Sequence, residues 1–193
     1  MVKLGKILLL LVTAVIVVGC GSRLNPETRM YTVYGTSKFK LPEGYEKVGN
    51  VSVNVEPQTW ESGAFPYQTF NTTVFGQGES YILSQTMNVS GNRYFVRPLK
   101  GSTASRWGTG WRSGSYQLDT GNTSLEYRRY LDYIKSTGHP VAPGYKVDVY
   151  DRLIGRKVIA RVMVLSPDKV SGRPPAPEAR DLYTLDRDDF RSR

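Results

Sequence analysis

Two stretches of the chain restrict its fold more than any other: Tyr145–Tyr150 (Y-K-V-D-V-Y) and Lys157–Leu165 (K-V-I-A-R-V-M-V-L). The first alternates apolar and polar residues, as a half-buried strand does. The second is apolar enough to lie at the centre of a sheet. Leu153-Ile154-Gly155 reads as the connection between them. Upstream, Val51–Val55 alternates valine with polar residues, which predicts a strand with one face of each kind. Thr69–Phe75 and Tyr81–Val89 predict two more strands, separated by the turn Gly76-Gln77-Gly78. Ser90-Gly91-Asn92 is expected to close a hairpin from there into Arg93–Leu99. Met30–Tyr34, Lys38–Leu41 and Tyr116–Asp119 read as shorter strands. The chain's 13 Tyr, 6 Phe and 3 Trp agree with a β-rich fold, since aromatic side chains suit a pleated, half-buried surface.

One helix stands out, over about 124–137. Thr123-Ser124-Leu125-Glu126 fits a capping box, with the Thr123 hydroxyl as cap and Glu126 reaching back. Leu125, Tyr127, Tyr130, Leu131 and Ile134 form the apolar stripe, and Gly138-His139-Pro140 ends the helix. Several strands, one helix and a final strand pair predict an α+β fold with a mainly antiparallel sheet. After Pro167 the composition changes. Ser171–Ala179 (S-G-R-P-P-A-P-E-A) is a Pro-rich linker, and Arg180–Arg193 reads as a mixed-charge tail, either mobile or docked on a partner.

The N-terminus speaks of location. Lys3 and Lys6 precede an apolar run from Ile7 to Val18 of about twelve residues, well short of the roughly 20 that span a bilayer. A basic start, a short apolar core and a small residue before the cut describe a secretory signal peptide. Val17-Val18-Gly19-Cys20 resembles the lipobox of bacterial lipoprotein precursors. That resemblance covers residues 1–21. It implies cleavage before Cys20 and diacylglycerol on its sulfur, so that the membrane is a partner through acylated Cys20. Gly21 is not the aspartate that typically retains such lipoproteins in the inner membrane, which favours the periplasmic face of the outer membrane. The expected organisation is a signal peptide over 1–19, a tether over 20–29, a single α+β domain over 30–167, and the linker and tail over 168–193.

Loss of Lys3 and Lys6 with the leader lowers the formal charge from +9 to +7. A basic envelope protein is biased toward anionic partners such as headgroups, lipopolysaccharide or peptidoglycan carboxylates. Export makes nucleic acid an unsuitable partner. The only cysteine, consumed by lipid, leaves no thiol for a disulfide, for catalysis or for a metal.

Candidate chemistry is sparse. His139 is the only histidine, in a turn-like G-H-P, so neither a zinc site nor a Ser-His-Asp triad is expected there. Glu61, Glu79 and Asp119 lie in or near loops and are the carboxylates to weigh for glycoside cleavage. No cofactor motif is present. The strongest binding constellation is Arg106-Trp107 with Trp111-Arg112, where indole faces suit sugar rings and guanidinium groups suit carboxylate or phosphate. The same tryptophans equally suit a place inside the fold. Arg128-Arg129 fits a solvated helix face. Asn50, Asn71, Asn88 and Asn122 begin N-x-S/T triplets, read here as turn and edge residues. The leading expectation is a non-enzymatic, lipid-anchored binding or structural module for a periplasmic or outer-membrane partner, an envelope protein or an anionic glycan; the alternative is a peptidoglycan or lipopolysaccharide binder that uses the Trp/Arg loop. A carboxylate-dependent cell-wall hydrolase is the enzymatic alternative.

Overall fold

The computed structural model describes residues 23–35, 37–55, 68–88, 94–98, 102–104, 111–154, 158–168 and 183–187. The leader, Cys20 and the Pro-rich linker lie outside them. The architecture is α+β: mostly antiparallel sheet, with one helix among the described residues.

The strands, in chain order, are β1 (Arg23–Leu24), β2 (Met30–Tyr34), β3 (Ser37–Lys40), β4 (Glu46–Val55), β5 (Gln68–Gln77), β6 (Ser80–Asn88), β7 (Tyr94–Pro98), β8 (Ser102–Ala104), β9 (Trp111–Asp119), β10 (Gly144–Ile154), β11 (Val158–Pro167) and β12 (Tyr183–Arg187). Helix α1 (Leu125–Ser136) joins β9 to β10. Seven strands form the central sheet in the order β4-β5-β6-β11-β10-β9-β8. Every pairing in it is antiparallel. The apolar β11 takes the middle place that its composition predicted.

Both faces of this sheet are covered. On one side α1 lays Tyr127, Tyr130, Leu131 and Ile134 over Phe70, Leu83, Val147 and Met163. On the other, the small sheet β1-β2-β3 presses Tyr31, Val33, Phe39 and Leu41 onto Phe75, Ile82, Trp111 and Val162. Each such fully buried side chain contributes roughly 1.5–3 kcal/mol of transfer free energy. Arg29, with φ 53°, ties the small sheet to the segment leading into β4. Its guanidinium donates to the carbonyls of Leu41 (3.3 Å), Pro42 (2.8 Å) and Tyr45 (2.8 Å). At the edge, a bulge between Lys47 and Gly49 places a residue without Cβ against the Tyr133 hydroxyl of α1.

Several expectations need correction. Tyr94–Pro98 does not form a hairpin with β6, because β6 already has β5 on one side and β11 on the other. It pairs instead with β12, a strand within the segment read as a charged tail. The segment read as a tether is structured from Arg23 on: β1 pairs with β2, and Asn25 Oδ1 accepts from the Glu27 and Thr28 amides, both at 3.0 Å. Leu153 and Ile154 continue β10 rather than forming a loop, paired with Ile159 and Val158. Trp111–Gly114, read as irregular, belongs to β9.

The helix starts one residue later than the capping box implied. Ser124 is the cap, and its Oγ accepts from Tyr127 N at 3.5 Å. Glu126 is therefore not in the reach-back position. It turns inward and is buried, while Leu125, expected in the apolar stripe, is 60% exposed. The C-terminus follows expectation: Gly138, at φ 83°, donates to Lys135 O and His139 N to Ile134 O, the paired bonds of a Schellman stop.

Candidate functional site

Two polar constructions interrupt the apolar packing, one on each face of the central sheet. The first is open to solvent. β4 and β5 are in antiparallel register, so Asn50 opposes Thr73, Ser52 opposes Asn71 and Asn54 opposes Thr69. All six project from the face that bears the small sheet, since strand side chains alternate with period two. In each pair a hydroxyl donates to an asparagine Oδ1 at 2.9 Å: Thr73 to Asn50, Ser52 to Asn71 and Thr69 to Asn54. The buried Tyr31 hydroxyl donates to Thr73 Oγ1 at 2.8 Å and fixes the first rung from behind.

The ladder has a simple origin. Asn50-Val-Ser52 and Asn71-Thr-Thr73 are two N-x-S/T triplets. Within a strand, the first and third residues of such a triplet share a face. Two triplets in antiparallel register therefore pair asparagine with hydroxyl in both directions. With each Oδ1 accepting, each Nδ2 keeps its donors for solvent or a ligand. The asparagines belong to different strands in turn: Asn50 on β4, Asn71 on β5, Asn54 on β4.

The first two rungs open into a cleft of about 350 Å³ between the ladder and β1–β2. Its walls include Leu24, Tyr31, Lys47, Asn50, Ser52 and Asn71, with Phe75 at its base. No Asp or Glu lines it. The cleft is thus donor-rich, carries one cation, and has an apolar floor.

The second construction lies beneath the helix. In strict register, Thr72, Gln85, Arg161, Asp151 and Arg112 cross five neighbouring strands. The row runs from buried Thr72 to exposed Arg112. Gln85 Nε2 donates to the Tyr130 hydroxyl (2.7 Å) and to Thr72 Oγ1 (3.2 Å). Tyr130 donates to Glu126 Oε1 at 3.4 Å. The Arg161 guanidinium lies 5.3 Å from the centre of the Phe70 ring. Burial alone lowers the arginine pKa. The charge and hydrogen bond of Asp151, with Glu126 behind, outweigh it and hold Arg161 above its ordinary value. Paired in this way, the charges are tolerable inside the fold. Apart from exposed Arg112 and partly exposed Asp151 the belt is internal, and its chemistry is that of a specifying network rather than a site open to ligands.

The residues singled out from sequence are scattered. Arg106 and Trp107 lie outside the described residues, as does Glu61. Trp111 is fully buried between the central and small sheets, so its ring is a core element and not a platform open to solvent. Arg112 is exposed at the end of the belt, on the opposite face of β9 from Trp111. Glu79 sits in the β5–β6 turn, and Asp119 ends β9, accepting from Gly121 N at 2.9 Å. Three strand spacings separate them, about 14 Å at ~4.8 Å each. Glycoside cleavage requires roughly 5–9.5 Å. His139 is half-buried at the helix exit. Among the described residues no group of three His, Cys, Asp or Glu could hold a metal ion. Comparison with protein-family models, curated proteins and solved structures returns no match.

Proposed function

We propose that this chain is a lipid-anchored binding module of the bacterial cell envelope, held by acylated Cys20, with the periplasmic face of the outer membrane as its favoured place. It binds rather than transforms its partner, and the cleft over β4–β5 is where that partner sits. The observation behind this reading is the three-rung ladder. Its amides are held by hydroxyls on a paired sheet, so a ligand meets donors whose positions are already fixed, and little ordering is lost on binding. A surface that offers donors and a lysine, without carboxylates, suits a partner rich in acceptor oxygens. An envelope glycan with carbonyl, carboxylate or phosphate groups has that character.

The test is cross-linking in the cell. A photoreactive residue in place of Leu24, which lines the cleft from β1 and takes no part in the ladder, is expected to capture an envelope glycan conjugate. The same residue in place of Lys135, on the helix side of the sheet, is not. Asn71→Asp, which keeps the shape but turns a donor pair into an acceptor, is expected to abolish the adduct. Equal capture from both positions would remove the cleft from consideration. Release of a Cys20→Ala chain from membranes tests the anchor separately.

A further inference from the structure

We infer that the outer face of the small sheet is a seat for an anionic membrane surface. The strands show the pattern directly. Along β2 and β3 the inward residues Tyr31, Val33, Ser37 and Phe39 are buried, and the alternate residues Met30, Thr32, Tyr34, Lys38 and Lys40 face away from the core. β1 adds Arg23, which stands opposite Thr32, itself opposite Lys38. Lys40 is opposite Met30. Arg23, Lys38 and Lys40 are all exposed.

The outward side of these strands thus carries three cations and no carboxylate. The nearest acids in sequence, Glu27 and Glu43, are in the turns beyond the strand ends. Among the described residues none of the three cations is in an ion pair. Two strand spacings separate Arg23 from Lys38, roughly 10 Å, and Lys40 is two positions along β3 from Lys38, roughly 7 Å. That is a compact triangle, with Tyr34 and Met30 adding half-buried apolar surface of the kind that sits at a headgroup boundary.

The length of chain before β1 points to the same occupant. Only Gly21 and Ser22 lie between Cys20 and Arg23, three residue steps or at most about 11 Å of fully extended backbone. With lipid on Cys20 this edge of the small sheet cannot leave the bilayer surface, so the charged face meets headgroups without further loss of freedom. This last step rests on the lipid-anchor reading; the charge pattern does not. One consequence bears on the cleft. The ladder looks to the same side as the seat, one sheet layer deeper, about 10 Å. The cleft therefore opens toward the headgroup layer, and its ligand is expected among groups borne on lipids.

The experiment uses the acylated protein, whose only thiol is blocked by lipid. A Thr32→Cys chain is labelled with a small fluorophore and reconstituted in vesicles of phosphatidylcholine alone or with added phosphatidylglycerol. A headgroup nitroxide serves as quencher. Quenching at position 32 is expected to be roughly threefold greater in the anionic vesicles and to fade as salt shortens the Debye length from ~10 Å to ~3 Å. A label at Lys135→Cys is expected to be quenched in neither. Charge reversal by Lys38→Glu with Lys40→Glu is expected to erase the difference. Protein that floats with both vesicle types but shows equal, weak quenching at 32 keeps its anchor and loses the seat. Protein that floats only with anionic vesicles loses the anchor and keeps the seat. Protein that floats with neither overturns both.

Discussion

Arg161 on β11 and Asp151 on β10 are direct cross-strand partners, and Arg161 Nε donates to Asp151 Oδ1 at 2.7 Å. The arginine side chain is 1% exposed and the aspartate 18%. This asymmetry decides the effect of each replacement. Asp151→Ala strands a buried guanidinium and is expected to cost about 3 kcal/mol, the low end of the range for breaking a buried pair. Arg161→Met combined with Glu126→Gln removes the buried cation together with the buried carboxylate behind it and leaves an aspartate that reaches water, so it should cost less. Urea unfolding of the two variants gives the order. A larger loss for the double replacement would mean that the belt is held from the arginine side.

Alkaline stability follows from the tyrosines. Burial, with the nearby Tyr145 and Glu79, pushes Tyr81 from 10.0 up to about 12. Burial also raises Tyr130 and Tyr145. The unfolded chain releases these protons near pH 10.0 while the folded one keeps them, so the unfolded state binds fewer protons across that interval. Stability is then full below pH 10 and declines as pH rises toward about 12. Tyr81→Phe is expected to flatten part of this slope, at some cost at neutral pH, since the Tyr81 hydroxyl also donates to Pro140 O behind the helix. Melting temperatures against pH give the slope, and phenolate absorbance tracks the titration itself.

The sequence shows the regular elements well and the polar constructions poorly. The period-two alternation in Val51–Val55 and the apolar run of β11 are local signals, and the strands stand where those signals put them. Arg161 in the middle of that run is a visible sign that a buried cation needs a partner. Its partner lies ten residues away, and only the register identifies it. The ladder is similar. Four N-x-S/T triplets are visible in the chain, yet it takes the pairing of β4 with β5 to turn two of them into reciprocal Asn–hydroxyl rungs. The partner of β7 is beyond local reasoning, because β12 lies some 90 residues on in the chain.

The helix cap offers a sharper lesson. Thr123-Ser124 gives two adjacent candidates, and the box motif selects Thr123. In the fold Ser124 accepts from Tyr127 N, while Thr123 is buried. The choice of Ser124 brings Tyr127, Tyr130 and Ile134 onto the sheet and draws Glu126 in toward Tyr130. Ser124→Ala is therefore expected to cost about 1 kcal/mol, as the loss of a cap does. Thr123→Val, which replaces a buried hydroxyl by a methyl, should cost little. Thermal melts of the two variants separate the cap positions, and equal losses would return the cap to Thr123.

Trp111 settles how the tryptophan–arginine segment is divided. Its ring lies in the second core with Tyr150, Ala160 and Val162, at 0% exposure. Trp111→Ala empties a large buried volume and is expected to cost roughly 3–5 kcal/mol, with Trp111→Phe costing less. A ring that served as a platform in solvent would behave differently, giving near-normal stability and a loss of ligand. Stability and capture through position 24 are therefore measured on the same variants. Trp111→Phe is expected to be destabilised and still to capture its partner, because the ladder on β4–β5 does not depend on the indole. Loss of capture with unchanged stability would move the binding surface from the β4 edge of the sheet to the β9 side.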